Sequence, residues 1–279
     1  PINAAYWLGL RSADACYSLD HKGRDAVISN LRRVYEGRGI VPSETTLQGM
    51  GRKTFQYFGK YLVDFFRYEK LTTDDVRRMV SIEHPEYLDQ VKKLGRGVLI
   101  ATAHFGNWEL GGAVLTALGC NIHAVEMPQR SPKLNQLLQR RREARGIKLL
   151  SVGHAALSIM KCLKRGGMVA VLADRDLSPR NDRVPFFGVP ARMPVGPAWL
   201  SHRTGAVVLP CFLFRQEDDT FLLRFYPPIL PEQEGSVAAI RKKIIAALER
   251  EIAERPCQWF IFEDFWRYTG ETWHGEPVQ

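Results

Sequence analysis

No stretch of about 18 apolar residues occurs in the 279-residue chain, so nothing within it is built to cross a membrane as a helix. The chain opens at Pro1 without a methionine, which leaves room for an upstream membrane anchor. Its five cysteines (Cys16, Cys120, Cys162, Cys211 and Cys257) are scattered and form no Cys-x-x-Cys. That spacing suggests neither a zinc cluster nor a disulfide framework and fits a reducing, cytosolic setting. Internal repeats, low-complexity segments, and helix-turn-helix, zinc-finger or RNP-like signatures are all missing. Nucleic acid is therefore not an expected partner. Acidic residues are scarce where basic ones cluster: Arg130, Lys133, Arg140, Arg141, Arg142, Arg145 and Lys148 face a single Glu143 in that interval.

What remains is an ordinary globular composition, 45% apolar and 25% charged, with enough material for one large core. The formal net charge of +9 favours polyanionic partners: anionic lipid headgroups, phosphorylated sugars, coenzyme A or an acidic carrier protein. A solvated helix face is the plainer explanation for any single basic residue. The spacing predicts a helical region up to about Leu94 and an α/β core over residues 95–279, together one domain spanning 1–279. Ala4, Tyr6, Trp7, Leu8 and Leu10 suit either a membrane interface or packing on the main domain. Val27, Ile28, Leu31 and Val34 fall at helical spacing, and a longer helix opening at Pro42-Ser43 carries Leu47, Met50, Phe55, Phe58, Leu62, Phe65 and Phe66. That stripe reads as core, or as one wall of an acyl slot.

Beyond residue 95 the elements alternate. Strands are expected over 97–101, 121–125, 147–152, 168–173, 206–212 and 221–226, and helices over 108–118, 134–144, 155–164, 194–203 and from Ser236 to before Pro256. This rhythm predicts an α/β fold with a mostly parallel central sheet flanked by helices. Ligands in such sheets gather beyond the carboxyl ends of the strands. His104, Glu126, Pro128 and Asp174 all follow strands in that way.

The stretch Ala101-Thr102-Ala103-His104-Phe105-Gly106-Asn107-Trp108-Glu109-Leu110 carries the chemistry. With His104 in a strand-to-helix turn, an N-cap at Asn107 and Glu109 in the first helical turn, the two side chains can converge. A carboxylate on one ring nitrogen fixes the tautomer and leaves the other nitrogen to take a proton from a hydroxyl. Gly106 would allow close approach of another molecule, and N–H groups at the helix start would face a developing oxyanion. No Ser or Cys completes a nucleophilic triad in this stretch, so direct attack by an acceptor hydroxyl is the natural chemistry. A capped helix beside an inert histidine is the competing explanation of the same spacing.

His104-Phe105-Gly106-Asn107-Trp108-Glu109 resembles the first signature block of the bacterial lipid A biosynthesis acyltransferases, the lauroyl/myristoyl branch of the lysophospholipid acyltransferase superfamily. Met127-Pro128-Gln129-Arg130-Ser131-Pro132 stands where that family carries an Arg-Pro followed by an Asn-Pro. Met127 replaces the arginine, leaving open whether Arg130 takes its phosphate-binding role. Asp174-Arg175-Asp176 with Pro185-Phe186-Phe187-Gly188 resembles the third block, Arg175 replacing a glutamine. Pro256-Cys257-Gln258-Trp259 resembles the C-terminal Pro-x-Gln-Trp, followed here by Glu263-Asp264-Phe265 instead of basic residues.

The resemblance implies a glycerol-3-phosphate acyltransferase-like fold and an acyltransferase working at the cytoplasmic face of the inner membrane, peripheral or anchored by a segment upstream. His104 would be the general base and Glu109 its orienting partner. Phe105, Gly106, Asn107, Met127, Pro128, Arg130, Asp174, Arg175, Asp176, Phe186, Phe187 and Gly188 would line the substrate site. The donor would be an acyl thioester on acyl carrier protein or coenzyme A, and the acceptor a phosphorylated glycolipid such as a lipid A precursor. Neither cofactor nor metal is expected. Other membrane glycolipids or aminolipids stay open as acceptors, as do a thioesterase and a non-catalytic lipid-binding protein.

Overall fold

The computed structural model of the chain describes residues 2–67, 72–125, 131–150, 155–176 and 182–267. Three long helices open it: α1 (Ile2–Leu19), α2 (His21–Glu36) and α3 (Glu44–Arg67). Two shorter ones follow, α4 (Thr73–Met79) and α5 (Pro85–Lys93), with a strand between them, β1 (Val80–Glu83). That strand departs from the all-helical expectation for this region. Val80-Ser81-Ile82-Glu83 alternates apolar and polar residues, and pairs in parallel with a strand some 140 residues downstream.

The alternation expected after residue 95 is present. β2 (Val98–Thr102) leads into α6 (Trp108–Ala117), β3 (Ile122–Val125), α7 (Pro132–Glu143) and β4 (Lys148–Leu150). Then come α8 (Ala155–Lys164), β5 (Met168–Leu172), a small hairpin of β6 (Val184–Phe186) and β7 (Val189–Ala191), and α9 (Gly196–Thr204). β8 (Val207–Arg215), β9 (Phe221–Phe225), α10 (Pro231–Glu234) and α11 (Val237–Glu254) complete the core, followed by a 3-10 turn at Pro256–Gln258. The seven-stranded sheet runs β1-β9-β8-β2-β5-β3-β4, parallel at every pairing except the β8–β9 hairpin.

Side-chain alternation along β2 shows how the sheet divides its core. Leu99 and Ala101 join Val169, Val208, Ile244 and Leu248 on the face covered by α11, while Val98 and Ile100 join Leu110, Val114, Val207 and Leu209 on the other. β2 pairs with β8 as far as Ala101 opposite Pro210. A proline has no N–H to continue a ladder, so the two chains part there. The segment after β2 then re-docks higher on β8, the Asn107 N–H donating to the Leu213 carbonyl at 2.8 Å.

The N-terminal helices are fastened at both ends. α1 crosses α3 with backbones nearly touching: a Cβ on Gly59 would lie 2.7 Å from the Gly9 carbonyl oxygen and 3.0 Å from Ala13 Cβ. Beside that crossing Asp14 accepts from Arg52 at 2.8 and 2.9 Å and from Gln56 at 2.7 Å. The Arg52 hydrogen bond outweighs burial and holds the Asp14 carboxyl at about 2. On α2 the buried Asn30 side chain donates to the Ile261 and Glu263 carbonyls and accepts from the Phe265 N–H, binding the C-terminal segment to the helical layer. Replacing Gly59 with valine should separate α1 from α3 and cost about 1–3 kcal/mol, measured as a lowered urea midpoint at unchanged slope.

Candidate functional site

His104 follows the carboxyl end of β2, and the adjacent parallel strand β5 delivers Asp174 beside it. The Asp174 side chain is fully buried and takes His104 at two points. Its Oδ2 accepts the His104 backbone N–H at 2.9 Å, and its Oδ1 lies 2.9 Å from the ring nitrogen Nδ1. A third donor, the Trp259 indole N–H, reaches Oδ2 at 3.1 Å. Burial alone would raise the Asp174 carboxyl; the charge and hydrogen bonds of His104, with the Trp259 bond, outweigh it and hold the group below the usual carboxylate range. Anchored this way, the ring directs Nε2 away from Asp174, and the imidazole stays partly exposed.

Glu109 does not supply the carboxylate at Nδ1, which corrects the role expected for it. It lies in the first turn of α6, where the helix dipole favours an anion, and accepts two bonds from Arg142 of α7, at 2.5 Å to Oε1 and 3.2 Å to Oε2. Two arginines of α7 thus depart from the solvated helix face that is the plainer explanation for a single basic residue. Arg142 is engaged at the site, and Arg141 is buried, donating to the Phe65 carbonyl and stacking over the Phe65 and Phe66 rings.

Several residues expected to line the substrate site are structural. Phe105 is fully buried, edge-on to Phe212 and Phe214. Asn107 caps α6 as expected, its Oδ1 accepting from the Leu110 N–H, while its Nδ2 donates to the buried Asp64. Gly106 has φ +60, and a Cβ there would lie 2.1 Å from the Leu213 carbonyl oxygen. The close approach that requires glycine is therefore made by β8, not by a ligand. The N–H groups of Gly106 and Asn107 are already donated to the Gln258 and Leu213 carbonyls, so these two cannot serve an oxyanion.

Phe186 and Phe187 also differ from the expected pocket wall. Phe187 and Gly188 form the tight turn of the β6–β7 hairpin at φ +50 and +74, and the Phe187 N–H donates to Glu249. Phe186 is fully buried against Trp259, Phe265 and Trp266, behind the catalytic-type carboxylate. Arg175 is exposed and pairs with Glu263 at 2.7 Å, so two of the three departures from the family pattern meet as one ion pair. Asp176 is half-buried. Met127, Pro128 and Arg130, with Glu126, lie outside the described residues. Among the described residues no group of His, Cys, Asp and Glu side chains is placed to hold a metal ion.

Two contributors were not expected from the sequence. One is the Pro256–Phe260 segment. Phe105 forms an antiparallel bridge with Trp259, and the Phe260 N–H donates to the His104 carbonyl at 2.8 Å, so this segment brackets the histidine loop. The other is a buried polar cluster beneath Asn107. Asp64 accepts from Tyr6 at 2.6 Å and pairs with Arg215, which reaches Asp219 at 3.0 Å; Lys60 closes on Asp219 at 2.6 Å. Burial beside Asp64 pushes the Tyr6 hydroxyl up to about 12, keeping it a neutral donor.

A partly exposed histidine beyond the carboxyl end of a strand in an open α/β sheet, one ring nitrogen fixed by a buried carboxylate, is the layout of a general-base site. The chain belongs to the bacterial lipid A biosynthesis acyltransferase family, whose model matches residues 1–268. It is 28% identical to a phosphatidylinositol mannoside acyltransferase of Mycobacterium tuberculosis (strain CDC 1551 / Oshkosh) over 280 aligned positions, covering 94% of this chain and 87% of that protein. It is also 28% identical to the lipid A biosynthesis palmitoleoyltransferase of Escherichia coli K12 over 189 positions, 66% of this chain and 60% of that one. A crystal structure of a 1-acyl-sn-glycerophosphate acyltransferase from Thermotoga maritima aligns over 74% of this chain and 88% of its own, at 16% identity and a TM-score of 0.43. The protein is an acyltransferase of lipid-like acceptors.

Replacing Gly106 with alanine forces a Cβ into the Leu213 carbonyl at positive φ. It should cost about 3 kcal/mol or more, visible as a lowered melting temperature before any assay of turnover.

Proposed function

We propose that the protein moves a fatty acyl group from an acyl thioester, on coenzyme A or acyl carrier protein, to a hydroxyl of a phosphorylated membrane glycolipid. The observation that carries this reading is the Asp174–His104 pair, with Nδ1 engaged by the buried carboxylate and the imidazole partly exposed. Nε2 takes the proton of the acceptor hydroxyl as its oxygen attacks the thioester carbonyl. The tetrahedral intermediate then collapses, the C–S bond breaks, and the same nitrogen returns the proton to the departing thiolate. Asp174 holds the ring and balances its positive charge without itself being protonated. Glu109 and Arg142 form a separate, fixed ion pair at the start of α6, which keeps a guanidinium beside the site for an anionic substrate group.

An aromatic slab flanks the histidine and suits an acyl chain. Trp108 lies edge-on to the His104 ring at 5.4 Å and stacks on Tyr61 at 4.5 Å, and Phe58 and Phe260 continue the surface. Trp7, Leu8 and Phe66 are exposed, consistent with work at a membrane surface. Among the described residues no helix is long and apolar enough to cross a membrane. The acceptor is a phosphorylated glycolipid of the kind the relatives' names describe, a phosphatidylinositol mannoside or a lipid A precursor. The mannoside enzyme aligns over 94% of this chain and the lipid A family model over residues 1–268, so both acceptors enter the test.

The test supplies palmitoyl-CoA with each of these two acceptors and follows thiol release and acylated lipid together. Release of free fatty acid with no acylated lipid, despite supplied acceptor, would instead identify a thioesterase. His104→Ala should lower turnover by roughly 10²- to 10⁴-fold with an unchanged circular dichroism spectrum; near-normal transfer would overturn the assignment. Asp174→Asn should lose a similar factor, chiefly in kcat, because the amide cannot balance an imidazolium. Its effect should disappear in a His104→Ala background.

A further inference from the structure

We infer that Trp259 is a positioning residue for this acyl transfer, its indole N–H fixing the Asp174 carboxylate so that the His104 ring is held in its working orientation. The inference rests on the general-base role of His104 argued above, and it concerns a residue whose ring touches no reacting atom.

The geometry is closed from three sides. Oδ2 of Asp174 receives two donors from different parts of the chain, the His104 backbone N–H at 2.9 Å and the Trp259 indole N–H at 3.1 Å. With Oδ2 occupied, the carboxylate cannot rotate about its own axis without breaking both bonds, and Oδ1 is left facing Nδ1 at 2.9 Å. A carboxylate held by His104 alone would follow the imidazole as it moved. The indole ties it to a different element. Trp259 is itself immobilised: its backbone bridges to Phe105, and its ring packs against Phe186, Phe265 and Trp266 with centroids 5.8, 5.0 and 5.9 Å away. Its neighbour Gln258 fastens the segment to β8, accepting from the Arg215 N–H at 2.9 Å and donating to the Arg215 carbonyl at 2.8 Å.

A tryptophan is the residue the position needs. Indole is a donor only, so it can stabilise the ionised carboxylate but cannot accept from a neutral one. It is also 4% exposed, so no water competes for Oδ2 from that side. A hydrogen bond to a buried charge is worth more than one between neutral groups. The Phe186-Phe187-Gly188 hairpin, expected to border the acceptor, here supplies the packing that keeps the indole in place.

The test is Trp259→Phe, which keeps an aromatic ring in the cluster and removes only the donor. Turnover of palmitoyl-CoA with phosphatidylinositol mannoside should fall roughly tenfold in kcat with KM little changed. The acid limb of the pH–rate profile should move to higher pH, because Asp174, short of one donor, draws more strongly on the proton of the ring it holds. Trp259→Phe added to Asp174→Asn should cost nothing further, since the indole acts through that carboxylate. A multiplicative loss in the double variant, or an unmoved pH profile, would reduce Trp259 to a packing residue and overturn the inference. Should the phenylalanine variant fold poorly, benzothienyl-alanine at position 259 replaces the N–H with sulfur at nearly constant shape and gives the same comparison. The His104 Nδ1–H proton resonance in ¹⁵N-histidine-labelled protein supplies a reading independent of turnover. It should shift in either variant, and a resonance identical to that of the unsubstituted protein would also defeat the inference. If His104→Ala leaves transfer intact, the catalytic reading fails first, and the resonance still reports whether the indole holds the pair.

Discussion

One buried carboxylate ties the site together. Asp174 is withdrawn from water, and a charge in that position persists only if its oxygens find donors. The donors come from the end of β2 and from the C-terminal segment, while Asp174 itself follows β5. Three regions far apart in sequence are thus obliged to meet at one group. Removing any of them leaves an uncompensated charge in the core, a costlier outcome than losing an ordinary surface pair. The desolvation that makes the carboxylate demanding also makes it effective, since its attraction for a protonated ring is little screened.

The framework that brings these regions together was largely legible in the sequence. Short apolar runs followed by glycine-punctuated helical spacing place β2, β5 and β8, and the histidine at a strand end follows from that placement. Asn107 as an N-cap was readable from local chemistry alone, and its side chain accepts the expected backbone N–H. The identity of the ring's partner was not. Spacing arithmetic sees only neighbours in sequence, so Glu109, five residues on, was the natural candidate. Asp174 stands 70 residues away and is brought close by parallel pairing of β2 with β5. Which strands become neighbours is a global outcome, and no local period encodes it. Glu109 instead finds Arg142, a partner that an exposed basic helix would not have suggested.

The same distinction explains why motif residues turned out to be interior. Phe105, Asn107 and Phe186 belong to recognisable strings, but a string can mark a demanding backbone path as readily as a contact with ligand. Gly106 must pass against β8, Asn107 must cap α6, and Phe186 must fill the space behind Trp259. The pairing of Arg175 with Glu263 makes a related point. Each residue by itself is an unexplained departure from the family pattern; together they form a single exposed ion pair across the rim.

The cluster of Tyr6, Asp64, Arg215 and Asn107 bears on how the molecule could be divided. Tyr6 and Asp64 lie 58 positions apart on the helical layer, whereas Arg215 belongs to the sheet, 151 positions beyond Asp64. The cap of the helix that follows the histidine therefore leans on side chains contributed by the first helices. A transplant of residues 95–279 alone would keep Asp219 beside Arg215 but remove Asp64 and Tyr6. What resembles a detachable prologue is the floor on which the histidine loop stands, and any chimera between relatives must inherit both halves from one parent.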